Sequence, residues 1–251
     1  MKHGTLDLIA KSKYFDLFGV FLVFLSAHLA GYLYDNLAAT KFFRNSAWAV
    51  YVPFGPISAL SSSLSLLSTR LTGRLSNWGN WLGLFNVVMA GYIDFLLGNK
   101  AAPLSYPITF IIYIYAIEKW MQTEKYRTSQ PLAGRQALWA FGLVAALCLS
   151  FSYYINGLGF APHNRGAIFW FTTVVFALSL AGNILNAMKL TVQWKFWFLY
   201  NLAQLAKSLV QGNFANVGKY VYYLINAIAC LDFWRKFDRP REAANGEAVN
   251  G

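Results

Sequence analysis

Apolar residues form long runs along this chain, and short polar stretches separate them. Most runs reach the roughly 20 residues that an α-helix needs to cross a hydrocarbon core of about 30 Å. They predict about eight membrane-spanning helices, at residues 16–35, 46–68, 77–98, 103–121, 137–157, 166–189, 194–212 and 216–235. A membrane β-barrel would alternate in shorter segments, which this chain does not do. The pattern therefore predicts an all-α polytopic membrane protein.

Two apolar stretches, from Trp78 to Trp120 and from Trp194 to Trp234, resemble each other. Each begins with Trp-x-x-Trp, continues with an Asn, a Gly-Asn-x-Ala element and a Tyr, and ends on an acidic residue close to a Trp. The paired positions include Asn86 with Asn201, Tyr106 with Tyr220, and Glu118 with Asp232. Internal repeats are typical of transporters whose substrate binds between the repeats, near the bilayer midplane.

The repeats also predict how the chain is divided. Residues 46–121 form one three-helix repeat, residues 161–237 form the other, and residues 122–160 supply a linker and one connecting helix. Because a single helix separates two units of three, both repeats have the same orientation and are related by an axis along the membrane normal. Residues 1–45 hold a cytoplasmic segment and one extra helix. Residues 238–251, which have few bulky apolar side chains, are expected to be a disordered cytoplasmic tail.

Composition agrees with a membrane protein and explains the basic charge. The chain is 57% hydrophobic and only 12% charged, about half the charged fraction of a soluble domain. A net charge of +11 fits basic cytoplasmic loops better than a nucleic-acid partner. The predicted loops on the side of the membrane away from the termini have few basic residues: Lys41, Arg44, Lys100, Arg165 and Lys219. Because Lys and Arg are concentrated in the loops on the side of the two termini, both termini are expected to be cytoplasmic. Arg70 and Arg74 are interpreted as charges of one of these loops. A cleaved signal peptide remains an alternative for span one.

Polar side chains recur within the spans at spacings of three and four, so each set shares one helix face. The serines at positions 58, 61, 65 and 68 are interpreted mainly as helix-packing residues. An amide side chain is more costly in hydrocarbon than a hydroxyl unless it is paired or faces water. A role in lining a water-filled cavity is therefore favoured for the amides over hydrogen bonding between helices. The candidate substrate-binding residues are Asn86, Tyr106, Tyr113, Asn183, Asn186, Trp197, Asn201, Gln204 and Asn226.

Tryptophans and ionisable residues fall into different groups by position. The tryptophans near span ends are interpreted as membrane-interface residues: Trp48, Trp78, Trp120, Trp194 and Trp234. Trp81 and Trp197 lie a turn deeper, where a ring could stack on a planar ligand. Asp94 lies near the outer end of span three, and Lys207 either snorkels outward or lines the path.

Motifs for catalysis or metal binding are missing from the sequence. There is no His/Cys/Glu metal spacing, no phosphate-cradling glycine loop and no Gly-x-Ser-x-Gly. Cys148 and Cys230 lack any pairing or metal spacing and are expected to be buried thiols. The spans also lack an acidic cluster at mid-membrane of the kind that forms a proton relay or a sodium site. The chain is therefore expected to be no enzyme and to need no cofactor or metal.

The segment from Trp194 to Asn201 resembles the Trp-x-x-Trp-x-x-x-Asn motif of the PnuC vitamin transporters, relatives of the SWEET sugar transporters. Upstream, Phe169-Trp170 followed by Thr172-Thr173 resembles the family's span that begins Phe-Trp-Asp, although Phe171 stands in place of the acid. The resemblance covers spans two to eight.

This resemblance implies a SWEET-like core of three plus one plus three helices, assembled as a homotrimer in a bacterial cytoplasmic (inner) membrane. It implies uptake of nicotinamide riboside by facilitated diffusion, followed by trapping through cytoplasmic phosphorylation. The riboside is a flat cation with a carboxamide and a ribose, which aromatic rings and amide side chains can bind. The alternatives are a related transporter of thiamine or riboflavin, or a membrane structural protein without transport.

Overall fold

The computed structural model describes residues 4–40, 42–96, 101–123, 134–160, 165–210 and 217–249, without the side chains of 134–140, 168, 207, 208, 210 and 238–249. Within these ranges the secondary structure is entirely helical. The α-helices are α1 (Thr5–Lys11), α2 (Lys13–Leu29), α3 (Phe54–Gly73), α4 (Trp78–Leu96), α5 (Ala102–Met121), α6 (Gly134–Gly159), α7 (Ala167–Ala187), α8 (Gln193–Val210) and α9 (Val217–Val249). Three short 3₁₀ helices, Tyr32–Tyr34, Leu37–Ala39 and Ala47–Tyr51, join α2 to α3.

Each predicted span overlaps one of the helices from α2 to α9, but several boundaries differ: α2 ends at Leu29 and not at residue 35, and α3 ends at Gly73 and not at residue 68. The second span was expected to begin at residue 46, whereas α3 begins at Phe54. Val52 is extended, with φ −93° and ψ 115°, because Pro53 disfavours a helical residue before it. Another difference is at the carboxyl end, where α9 continues to Val249. Residues 238–249, for which a disordered tail was expected, continue the helix in the structure; their assignment to a cytoplasmic tail stays a prediction.

Two of the described helical segments are long and apolar enough to cross a membrane by length and composition alone: Phe141–Gly159 in α6 and Phe169–Ala187 in α7. The polar stripes of α3 and α8 lower the hydropathy of those helices. Lipid-facing character is also visible on the surface, where large apolar side chains are exposed on several helices. Examples are Phe85 at 64%, Val88 at 62%, Ile111 at 65% and Leu147 at 60% exposure.

The helices pack largely in chain order. Helices α3, α4 and α5 contact one another consecutively, and so do α7, α8 and α9. Two further contacts join these groups, α5 with α7 and α9 with α3, while α6 packs on α7. Helix α2 lies against α3 and α9, and α1 lies against α9. The turns after α3 and α7 are alike, because Leu75 (φ 58°) and Lys189 (φ 56°) both adopt the left-handed conformation that closes a helix.

Three tryptophans fill the end of the bundle at which α1 lies. The rings of Trp120 and Trp194 lie 5.9 Å and 5.8 Å from the ring of Trp234, and none of the three is more than 4% exposed. The indole nitrogens of Trp120 and Trp234 donate to the carbonyl oxygens of Asn186 and Gly73. The prediction of interface positions is wrong for these three, since their rings are packed among α5, α8 and α9. Trp48 and Trp78 are exposed at 55% and 73%.

Arg70 lies at the same end of the bundle and is fully buried. Its Nε donates to Asp16 of α2 at 2.5 Å, and its Nη1 donates to the side chain of Asn226 in α9 at 2.6 Å. Its Nη2 donates to the carbonyl oxygens of Ile9, Ala10 and Ser12. Interpreting Arg70 as a loop charge is therefore wrong, because this guanidinium joins α2, α3 and α9 and holds the segment after α1.

Candidate functional site

Five tyrosines from three helices form what we call the central tyrosine cluster. They are Tyr106 and Tyr113 of α5, Tyr200 of α8, and Tyr220 and Tyr223 of α9. The hydroxyl of Tyr200 lies within electrostatic range of those of Tyr106, Tyr113 and Tyr223. The rings of Tyr220 and Tyr223 lie 6.4 Å apart. The repeat-equivalent residues Tyr106 and Tyr220 also lie within electrostatic range of each other, so the cluster brings together side chains of α5 in the first predicted repeat and of α8 and α9 in the second.

Two glycines of α4 let the cluster's α5 rings approach the α4 backbone. A Cβ atom added to Gly91 would lie 2.8 Å from the ring of Tyr106, and one added to Gly83 would also meet the ring of Tyr113. Such distances are too short for real side chains, so only glycine fits at either position. The glycines are two helical turns apart, as are the two tyrosines on the antiparallel neighbour. The spacing in the sequence thus sets both ring positions.

A carboxylate and an amide accompany the tyrosines. The hydroxyl of Tyr106 donates to Oδ2 of Asp94 at 3.3 Å, and Asp94 interacts electrostatically with Tyr200 and Tyr220. Nε2 of Gln204 donates to the hydroxyl of Tyr200 at 3.0 Å. Donors, acceptors, aromatic faces and the carboxylate of Asp94 therefore lie close together, with the ammonium of Lys219 above the ring of Tyr220. An arrangement of this kind can hold a polar, planar or cationic small molecule.

Three of the predicted site residues belong to this group: Tyr106, Tyr113 and Gln204. Trp197 lies next to it, with its ring 5.5 Å from that of Tyr200 and against the backbone of α7 at Gly182. Asn201 follows Tyr200 on α8 and is 5% exposed.

Other predicted site residues take part in contacts between or within helices. Oδ1 of Asn86 accepts a hydrogen bond from Ser61 at 2.9 Å. Nδ2 of Asn186 donates to Oδ1 of Asn80 at 2.7 Å, which links α7 to α4. Asn183 donates weakly to Ser179 on its own helix, at 3.4 Å.

The serines of the α3 stripe bond to neighbouring elements, and Ser65 and Ser68 also bond to Tyr223 and Tyr113 of the central tyrosine cluster. Ser58 accepts from the Tyr32 hydroxyl at 3.0 Å, and Ser68 donates to the carbonyl of Gly79 in α4 at 2.7 Å. Asn226, another predicted site residue, accepts from Arg70 and is 1% exposed. In the described conformation Asn226 is part of the Arg70 network at the α1 end.

Sequence reasoning did not include Tyr200, Tyr220 or Tyr223 among the site residues and left Asp94 without a role. A signal for Asp94 was available, because Asp94 and Tyr106 lie at the adjacent ends of two consecutive antiparallel helices. Tyr200 immediately precedes Asn201 within the Trp-x-x-Trp-x-x-x-Asn motif. The side chain of Lys207, together with the Gly98-Asn99 and Gly212-Asn213 elements of the repeats, lies outside the described residues.

Comparison with known proteins identifies the family. Residues 55–236 match the family model described as nicotinamide mononucleotide transporter, and this range covers most of the chain. The chain belongs to this transporter family. It is accordingly a membrane transport protein and not an enzyme, as the sequence predicted. The family match begins at the second residue of α3 and so leaves α1 and α2 outside it.

A solved structure shares the fold of this transporter. It is described as the crystal structure of the vitamin B3 transporter PnuC, and it superimposes with a TM-score of 0.64. The alignment covers 91% of this chain and 93% of the other at 14% sequence identity. No curated protein sequence matches the chain significantly.

Proposed function

We propose that this chain carries nicotinamide riboside across a bacterial cytoplasmic membrane by facilitated diffusion. The proposal rests on one observation: the central tyrosine cluster, Asp94 and Gln204 lie together between helices α3–α5 and α7–α9. The substrate would bind there, with Asn201 and Trp197 beside it. Once inside the cell the riboside would be phosphorylated, and the added charge would trap it.

The chemistry of these side chains matches the parts of the riboside. Tyrosine faces attract a cationic ring, and the tyrosine hydroxyls can donate to or accept from the ribose. The amide of Gln204 can both donate to and accept from the carboxamide. The same set of side chains suits nicotinamide mononucleotide less well, because its phosphate is best bound by arginine forks or helix amino termini.

The remaining predictions about architecture belong to the same proposal. We propose two parallel three-helix repeats, α3–α5 and α7–α9, with α6 as connector and α2 as the extra span. The matching contacts of α5 with α7 and α9 with α3, and the matching turns at Leu75 and Lys189, support a twofold relation between them. Both termini would be cytoplasmic by the basic-residue bias, and the functional unit would be a homotrimer, as the resemblance implies.

Calorimetric titration of the purified protein tests the substrate. Nicotinamide riboside, nicotinamide mononucleotide, thiamine and riboflavin are titrated separately under identical conditions. We expect saturable heat with the riboside and at least tenfold weaker binding of the other three. Saturable binding of thiamine or riboflavin with no heat from the riboside would reassign the substrate. No binding of any of the four would favour a membrane protein without this transport role.

A further inference from the structure

We propose that Asp94 recognises the positive charge of the substrate ring and thereby makes the transporter selective for a cationic nucleoside. This inference rests on the proposed function and deepens it. In this inference, the carboxylate of Asp94 distinguishes a charged pyridinium from an uncharged ring of the same shape. Asp94 thus becomes a specificity-determining residue of the central site.

The position of Asp94 is the first support for this role. The residue lies on the last described turn of α4, at the end of the bundle opposite α1, and it is half-buried. Its carboxylate accepts from Tyr106 of α5 and interacts with Tyr200 of α8 and Tyr220 of α9. Asp94 therefore bonds to α5 of the first group of helices and lies within electrostatic range of α8 and α9 of the second.

The aromatic rings around Asp94 are the second support. The ammonium of Lys219 lies 4.9 Å from the centre of the ring of Tyr220, which shows that a tyrosine of the cluster can hold a cation on its face. Because Lys219 occupies this face, the substrate ring would stack on another tyrosine of the cluster. Aromatic faces and a carboxylate together form the usual surroundings of a bound organic cation. A pyridinium could stack on such a ring while its charge interacts with Asp94.

A simpler role for Asp94 is that of a hydrogen-bond acceptor that positions Tyr106. The two roles make different predictions for Asp94→Asn, because an asparagine oxygen accepts the same hydrogen bond without carrying a charge. If Asp94 only positions Tyr106, the variant should bind charged and uncharged ligands as the wild type does. If Asp94 recognises charge, only the cation should lose affinity.

The test compares two ligands on three proteins by calorimetry. One ligand is nicotinamide riboside, and the other is its 1,4-dihydro form, which keeps the carboxamide and ribose but has no ring charge. The proteins are the wild type, Asp94→Asn, and Glu118→Gln. The last removes an exposed negative charge from α5 near the opposite end of the bundle and serves as the matched control.

We expect Asp94→Asn to weaken riboside binding about tenfold or more while binding of the dihydro form changes less than about twofold. Unchanged binding of the dihydro form also shows that the variant is folded. Asp94→Glu, which keeps the charge, should retain the preference for the cation. Glu118→Gln should leave both affinities unchanged.

Equal effects of Asp94→Asn on both ligands, or no effect on either, would overturn the role of Asp94 while leaving riboside binding by the wild type intact. If Asp94→Asn proves unfolded, Asp94→Glu decides, since loss of the cation preference there would also overturn the proposal. Failure of the wild type to bind the riboside at all would overturn the proposed function itself, and this inference with it.

Discussion

At the scale of single residues, the amides of the bundle have two different uses. Asn86, Asn186 and Asn226 are hydrogen-bonded to side chains of neighbouring helices, as buried polar groups in an apolar bundle must be. Gln204 instead bonds to the hydroxyl of Tyr200 within the central tyrosine cluster, and Asn201 is its neighbour one turn earlier. We therefore expect substrate contacts from Gln204 and Asn201.

Alanine substitutions test this division. Asn201→Ala and Gln204→Ala should each raise the dissociation constant for nicotinamide riboside about tenfold or more, because losing a hydrogen bond in a desolvated site costs about 1–3 kcal/mol. Gln122→Ala is the control, since Gln122 is exposed beyond the end of α5. Calorimetry measures all three. Wild-type affinity in both site variants would leave these amides with a packing role only.

The sequence predicted part of this site for a physical reason. Tyr106, Tyr113 and Gln204 lie on polar helix faces, and a polar face in hydrocarbon must point inward. Helical periodicity says nothing about which residues of different helices meet, because that depends on the register between helices. The partnership of Asp94 with Tyr106, and that of Arg70 with Asp16, could therefore not be predicted from spacing within one helix.

At the scale of helices, the amino-terminal elements are held to the bundle by one buried network. Asp16 of α2 accepts from Arg70 and Arg74, each at 2.5 Å, and Arg70 also holds three carbonyl oxygens around the end of α1. Lys236 of α9 donates to Asp7 of α1 at 2.7 Å, and this hydrogen bond raises the pKa of the lysine. Lys236 therefore remains charged at neutral pH.

Removing the guanidinium should destabilise the protein strongly. Arg70→Ala removes a hydrogen-bond donor of Asp16 and of several carbonyl oxygens. We therefore expect the free energy of unfolding to fall by about 3–5 kcal/mol. Arg70→Lys should recover only part of this, because an ammonium cannot reproduce the planar fork. Denaturant unfolding in detergent, with the exposed Lys119→Ala as control, measures the effect. An Arg70→Ala variant as stable as the control would show that the network contributes little.

The positions of the helices along the chain were easier to predict than the contacts that their side chains make. The long apolar runs located every helix from α2 to α9, because length and hydropathy are set within a segment. Trp120, Trp194 and Trp234 were placed at the membrane interface, yet their rings are buried. A tryptophan near a helix end can face lipid or a neighbouring helix, and the sequence of one segment does not distinguish these.

At the scale of the whole molecule, the two ends of the bundle differ. The tryptophans and the Arg70 network fill the end at which α1 lies, while Asp94, Tyr106 and Tyr220 lie toward the other end. A transporter that equilibrates its substrate needs to expose the central site to each side in turn, and it needs no coupling ion. Membrane potential alone would bias a cationic substrate inward, by about 2.3 kcal/mol per charge per 100 mV.

The central claim is that this chain moves nicotinamide riboside and does so without concentrating it. The most direct measurement is uptake of labelled riboside into proteoliposomes that contain the protein, no kinase and no membrane potential. We predict saturable uptake that plateaus at the external concentration, whether or not a proton or sodium gradient is imposed, and no saturable uptake into protein-free liposomes. Accumulation well above the external concentration, driven by either gradient and abolished by an ionophore, would contradict facilitated diffusion. Uptake no faster than in protein-free liposomes would contradict riboside transport altogether.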